Sequence, residues 1–124
     1  MSKTALIVDD SATMREMVSQ ALRDCGFDPL TAGHGREGLD QLNTVGDKPI
    51  DLIISDVNMP VMDGIEFIGE VRKRPASAFV PILMLTTESD ASMKERGKAA
   101  GATGWLVKPF NPEMLRKVIA KVVP

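Results

Sequence analysis

One cysteine, one histidine, one tryptophan and no tyrosine occur among the 124 residues of this chain. Cys25 has no second thiol with which to close an internal disulfide and no base or metal ligand near it in sequence, so it is expected to pack as a small buried hydrophobe. His34, in "TAGHGREG", has no evident partner and reads as a surface loop residue rather than a catalytic base. An excess of one charge is also missing. The 15 Lys and Arg against 17 Asp and Glu leave a net charge of -2, which argues against a protein built to neutralise a phosphate backbone, and no nucleic-acid partner is expected. No stretch approaches the roughly 18 consecutive apolar residues of a membrane span. "MSKTALIVDDS" has too short an apolar segment, and no small-residue cleavage site, to be a signal peptide. These absences lead to the expectation of a cytoplasmic protein. Linkers, repeats and low-complexity tracts are lacking too, so a single domain over residues 1–124 is expected, with no output module attached. A chain of this length buries about two-thirds of the surface its unfolded form exposes, and needs neither disulfide nor structural metal to hold it.

What is present is alternation. "TALIV" (4–8), "DLIIS" (51–55) and "PILMLT" (81–86) read as strands, "GWLV" (104–107) as a shorter one and "DPLTA" (28–32) as the weakest. Between them, Met14, Met17, Val18, Ala21, Leu22 and Cys25 mark one helical face, and Leu115, Val118, Ile119 and Val122 another. Leu39 with Leu42, and Ile65 with Ile68 and Val71, give two more. The methionines at these spacings read as core packing rather than a thioether metal site. Helices alternating with continuous apolar strands imply a parallel sheet covered on both faces. The expected fold is therefore α/β, a doubly wound, flavodoxin-like sheet of five strands with five helices. Its favoured order, 2-1-3-4-5, brings the C-terminal ends of the first and third strands to the switch point where such sheets bind ligands.

That topology gathers acids. "IVDDS" ends the first strand and "IISD" the third, so Asp9, Asp10 and Asp56 are expected in one crevice. Two carboxylates about 4 Å apart repel by roughly 4 kcal/mol at an effective dielectric near 20, and three such pairs call for a compensating cation. A hard divalent ion such as Mg2+ suits them, since it takes one or two carboxylates, keeps several waters and accepts phosphate oxygens. By itself "DDS" fits helix capping equally well, with Asp10 or Ser11 accepting the free N–H groups of the following helix. Two further strand ends favour the ligand reading. "LTTES" brings the hydroxyl of Thr86 and "WLVKPF" the ammonium of Lys108 to the same crevice, where they suit an oxyanion; Lys108 would also serve as a plain counter-ion to the acids.

Asp9 and Asp10, "DVNMPVMDG" around Asp56, Thr86 before its polar turn, and "KPF" from Lys108 to Phe110 together resemble the receiver domain of two-component response regulators. The resemblance spans the whole chain. Within that family the chain is most similar to the single-domain chemotaxis regulators of the CheY type, through "DDSATMREMV" and "GATGWLVKPF". The resemblance implies that Asp56 is the phosphoacceptor, taking a phosphoryl group from a histidine kinase, and that the chain is a signalling domain rather than an enzyme. It implies Mg2+ held by Asp10, Asp56 and the Asn58 carbonyl, with Asp9 acting through water. It further implies phosphoryl oxygens held by Lys108, the Thr86 hydroxyl and the N–H groups of Asn58 and Thr87, with Asn58 and Glu88 bordering the path of the hydrolytic water. Lys108-Pro109 is expected to be cis. Thr86 would move toward the phosphoryl group while an aromatic residue on the fifth strand turns inward. Trp105 holds that position, although a half-exposed packing role fits it equally. A fourth helix over roughly 89–100, poor in apolar residues and containing Gly97, would be an easy element to shift. The target would bind the face made by the fourth helix, fifth strand and fifth helix, a flagellar motor switch protein being one candidate. A phosphate sink or a relay outside chemotaxis is the alternative.

Two other classes fit less well. Aspartyl-nucleophile phosphohydrolases place their two acids two residues apart after the first strand, whereas here they are adjacent and no cap insertion follows. A flavodoxin-like electron carrier would have a Ser-, Thr- and Gly-rich phosphate loop there, and this one is acidic.

Overall fold

A computed structural model describes residues 3–46, 49–59, 61–87 and 91–123. Five strands, β1 (Lys3–Val8), β2 (Phe27–Ala32), β3 (Leu52–Asp56), β4 (Ile82–Thr86) and β5 (Gly104–Val107), form one parallel sheet in the order β2-β1-β3-β4-β5. Five helices alternate with them: α1 (Ala12–Asp24), α2 (Gly35–Val45), α3 (Gly64–Arg72), α4 (Ala91–Ala100) and α5 (Pro112–Val122). The expected class, strand order and helix number are those found.

Side chains alternate across a strand, so an apolar run with no polar partner must have two faces to fill. In β1, Ala5 and Ile7 join Leu52, Ile54, Leu83 and Leu85 on the face covered by α1 and α5, where Val18, Leu22, Leu115 and Ile119 meet them. Leu6 and Val8 turn the other way, with Ile53, Ile82 and Met84, against Leu39, Leu42, Phe67 and Ile68 of α2 and α3. β2 lies at the edge, which accommodates Pro29 and the exposed Asp28.

The helices that follow β1, β2, β3 and β5 start at the C-terminal rim with a side-chain cap. Ser11 Oγ accepts the Met14 N–H at 3.2 Å, Asp63 Oδ1 the Glu66 N–H at 2.8 Å and Asn111 Oδ1 the Met114 N–H at 2.8 Å. His34 caps α2 through Nδ1, which accepts the Glu37 N–H at 3.2 Å. It therefore has a partner, contrary to the reading from sequence. Cys25 is also corrected. It is the C-cap of α1 and exposed, because the helix ends at Asp24, one residue before the apolar spacing would place position 25 on its buried face, and Gly26, at φ 86°, then turns the chain toward β2. α4 covers 91–100; residues 89 and 90 of its expected span lie outside the described residues.

Gly97 has a packing reason. A Cβ there would stand 2.6 Å from Met84 Sδ, so the missing side chain lets α4 lie directly on β4. At the far end of α4, Arg72 donates from Nε and Nη2 to the Gly101 carbonyl at 3.0 and 2.7 Å, tying that end to α3.

Candidate functional site

The rim collects the expected acids. One carboxylate oxygen from each of Asp9, Asp10 and Asp56 lies within 4.8 Å of the other two. Asp9 is completely buried and Asp56 nearly so, whereas Asp10 is exposed. Since Ser11 serves as the α1 cap, the Asp10 carboxylate is not spent on capping. Asp56 is the last residue of β3, inside the ladder opposite Leu85, which answers why a carboxylate should end so apolar a strand: the sheet fixes its backbone while its side chain faces the rim.

Lys108 reaches both buried acids, with Nζ 3.3 Å from Asp9 Oδ2 and 3.2 Å from Asp56 Oδ1. Its own N–H donates to the Thr86 carbonyl at 2.7 Å, extending the β4–β5 pairing past Val107. The Lys108-Pro109 bond is cis, as expected. The second oxygen of Asp9, Oδ1, accepts the Ser11 N–H at 2.9 Å. One ammonium thus serves two carboxylates. Burial, and then the charge of Asp9, push the Asp56 carboxyl above the usual carboxylate range, while Lys108 and the Val57 N–H oppose them. Three hard oxygen donors with only one cation between the two buried ones match the donor set of a divalent metal such as Mg2+.

Thr86 is fully buried at the end of β4, one residue beyond the partner of Asp56. Asn58 and Thr87 are exposed at the rim. Glu88 lies outside the described residues. Trp105 is half-buried on β5 beside Met84, packs against the core on the α2–α3 side, and carries Lys94 Nζ 5.4 Å from its ring centroid.

Two residues escaped the sequence reading. Gly64 opens α3 against the strand end, where an added Cβ would collide with the Asp56 carbonyl, and its N–H donates to the Val57 carbonyl at 2.8 Å. The "MDG" turn held the signal, but not the close approach. Arg15 donates from Nη1 to the Asp9 carbonyl at 2.6 Å, and nothing in "SATMRE" marks that bond. Among the described residues no helix is long and apolar enough to cross a membrane.

Residues 5–120 match the response regulator receiver domain. The chain is 39% identical over 118 residues to a probable chemotaxis protein CheY of Rhizobium etli, covering 94% of this chain and 89% of that one. It is 35% identical to the chemotaxis protein CheY1 of Helicobacter pylori, covering 95% and 94%. The structure of the Vibrio cholerae chemotaxis response regulator CheY4 superposes with a TM-score of 0.92 at 51% identity, over 99% of this chain and all of that one.

Proposed function

The chain belongs to the response regulator receiver domain family, and on that premise we propose that it accepts a phosphoryl group on Asp56 from a phosphohistidine and passes the signal on by changing its surface. The observation that carries this reading is the pairing of two buried carboxylates with one shared lysine, beside a third, exposed acid. An Asp56 oxygen attacks phosphorus, the P–N bond of the phosphoimidazole breaks, and the imidazole leaves with the bonding pair. The charge of Asp9 and the burial that raise the Asp56 pKa also make its carboxylate a stronger nucleophile. Lys108, already at the Asp56 oxygen, is placed to pair with the incoming phosphoryl oxygens. Asp10, Asp56 and the Asn58 carbonyl would hold Mg2+, with Asp9 behind them through water. Bound there, Mg2+ supplies charge neutralisation for the acids and the phosphoryl group.

The buried Thr86 hydroxyl and the half-buried Trp105 support an output in which Thr86 is drawn to the phosphoryl oxygens and the indole follows. The chemotaxis names of the relatives support a target such as a flagellar motor switch protein on the α4–β5–α5 face. Incubation with acetyl phosphate and Mg2+ tests the chemistry. One phosphoryl group per chain, mapped to Asp56 and absent from Asp56→Asn, is expected; continuous turnover of the donor, or undiminished label on the variant, would sink the reading. Capture by the beryllofluoride-treated chain of a flagellar switch protein that the untreated chain does not hold tests the output.

A further inference from the structure

Asp9 is held through each of its polar groups by a different neighbour. Its N–H donates to the Ala32 carbonyl at 3.1 Å, its Oδ1 accepts from the Ser11 N–H, its Oδ2 pairs with Lys108, and its carbonyl accepts from Arg15 Nη1 at 2.6 Å. The first three fix the side chain and the peptide that precedes Asp9. The Ser11 bond closes a turn around the peptide that follows, and the fourth grips that peptide directly by its oxygen; that peptide carries Asp10. Because a peptide unit is planar, the direction of the Asp9 carbonyl sets both the direction of the Asp10 N–H and the position of the Asp10 Cα. The residue so placed is exposed, and packing does not fix its carboxylate.

Resting on the receiver reading above, we infer that Arg15 is a positioning residue for the metal site: it holds the Asp9–Asp10 peptide plane, and thereby aims the Asp10 carboxylate at a divalent cation shared with Asp56. The guanidinium suits this work. Its bond to the carbonyl is short, as charge-assisted bonds are. Its half-buried position, with Gly33 alongside, narrows its choice of rotamers: a Cβ on Gly33 would lie 3.7 Å from Nη1. Arg15 acts through the Asp9 carbonyl and Asp10, not as a ligand itself.

Mg2+ titration by calorimetry on the intact chain tests the inference. Loss of a group that orients a metal ligand weakens the metal about 10-fold or more. Arg15→Ala should therefore bind Mg2+ about tenfold more weakly, yet accept the phosphoryl group from acetyl phosphate at a rate close to wild type once Mg2+ is saturating, because ligand placement rather than chemistry is lost. Arg15→Lys, which keeps a charged donor, should recover part of the affinity. In the metal-free chain, the Asp10 amide proton should shift in Arg15→Ala while core amides such as Ile54 do not. A folded Arg15→Ala with wild-type Mg2+ affinity would overturn the inference. So would a rate deficit that saturating Mg2+ does not repair in either variant. If the wild-type chain itself neither binds Mg2+ nor accepts a phosphoryl group, the receiver reading falls first, and the role of Arg15 with it.

Discussion

The ends of β1 and β3 and the edge formed by β4, α4 and β5 are built to opposite standards. At the first, Asp9 and Asp56 are buried, share Lys108, and are backed by a glycine that lets α3 begin against the strand end. At the second, β5 is four residues long with only Leu106 buried, and α4 carries one apolar side chain larger than alanine, Met93. α4 is seated by Gly97 on Met84 and Lys94 over Trp105, and pinned at one end by Arg72. The chemistry proposed for Asp56 would sit where the side chains are most firmly held. The element suited to respond sits where little packing must be undone, which is how regions of low local stability come to carry switching.

The largest break in this comparison is Asp56→Asn, which should abolish labelling altogether while stabilising the deep side. The ordinary pKa of the carboxyl is 3.8 and the folded value lies above it. Folding therefore favours the protonated form more than the unfolded chain does, and that contribution is full below 3.8 and is lost as pH rises through the raised folded value. The amide never ionises. Without Mg2+, the variant should melt above wild type at neutral pH, and the gap should close on acidification, as melts between about pH 4 and about pH 8 would show. A constant gap, or a lower melting temperature throughout, would contradict repulsion at the site.

Lys108→Ala should act in the other direction. It strands two buried carboxylates without their cation, and breaking such a pair costs about 3 kcal/mol. Chemical denaturation should show a loss of that order without Mg2+ and a partial recovery with it. Some phosphorylation should survive.

On the edge side, Gly97→Ala sets a helix propensity gain of about 1 kcal/mol against a collision with a fully buried methionine. Overpacking costs about 1–3 kcal/mol, so a net loss near 1 kcal/mol is expected, and Met84→Val in the same chain should relieve it. A double-mutant cycle showing additivity would mean that α4 does not rest on Met84.

The smallest effect expected is optical. Beryllofluoride with Mg2+ should change Trp105 fluorescence clearly and Mg2+ alone very little. Thr86→Ala, which binds the mimic but lacks the hydroxyl, should lose the change. A full wild-type change in that variant would leave Trp105 a packing residue.

The fold was legible because β1, β3 and β4 each carry three or four consecutive apolar residues, which a parallel sheet buried on both faces can use, and the acids were legible because they follow the runs of β1 and β3. Cys25 misled because helical spacing continues in the sequence one residue beyond Asp24, where α1 ends. His34 lacked a visible partner because its partner is a main-chain N–H, which no sequence displays. Arg15 and Gly64 were missed for a related reason: each acts on a carbonyl, at Asp9 and at Asp56, and side-chain patterns say nothing of where carbonyls point.

The pair made by Lys108 and Asp9 spans 99 positions of sequence. Closing so long a loop is among the slower, entropically costlier events in folding a chain of this size. During synthesis the acids emerge well before their counter-charge, so a ribosome-bound or truncated chain without β5 holds Asp56 but not the group that balances it. The full site proposed for phosphoryl transfer is thus assembled only once β5 has joined the sheet.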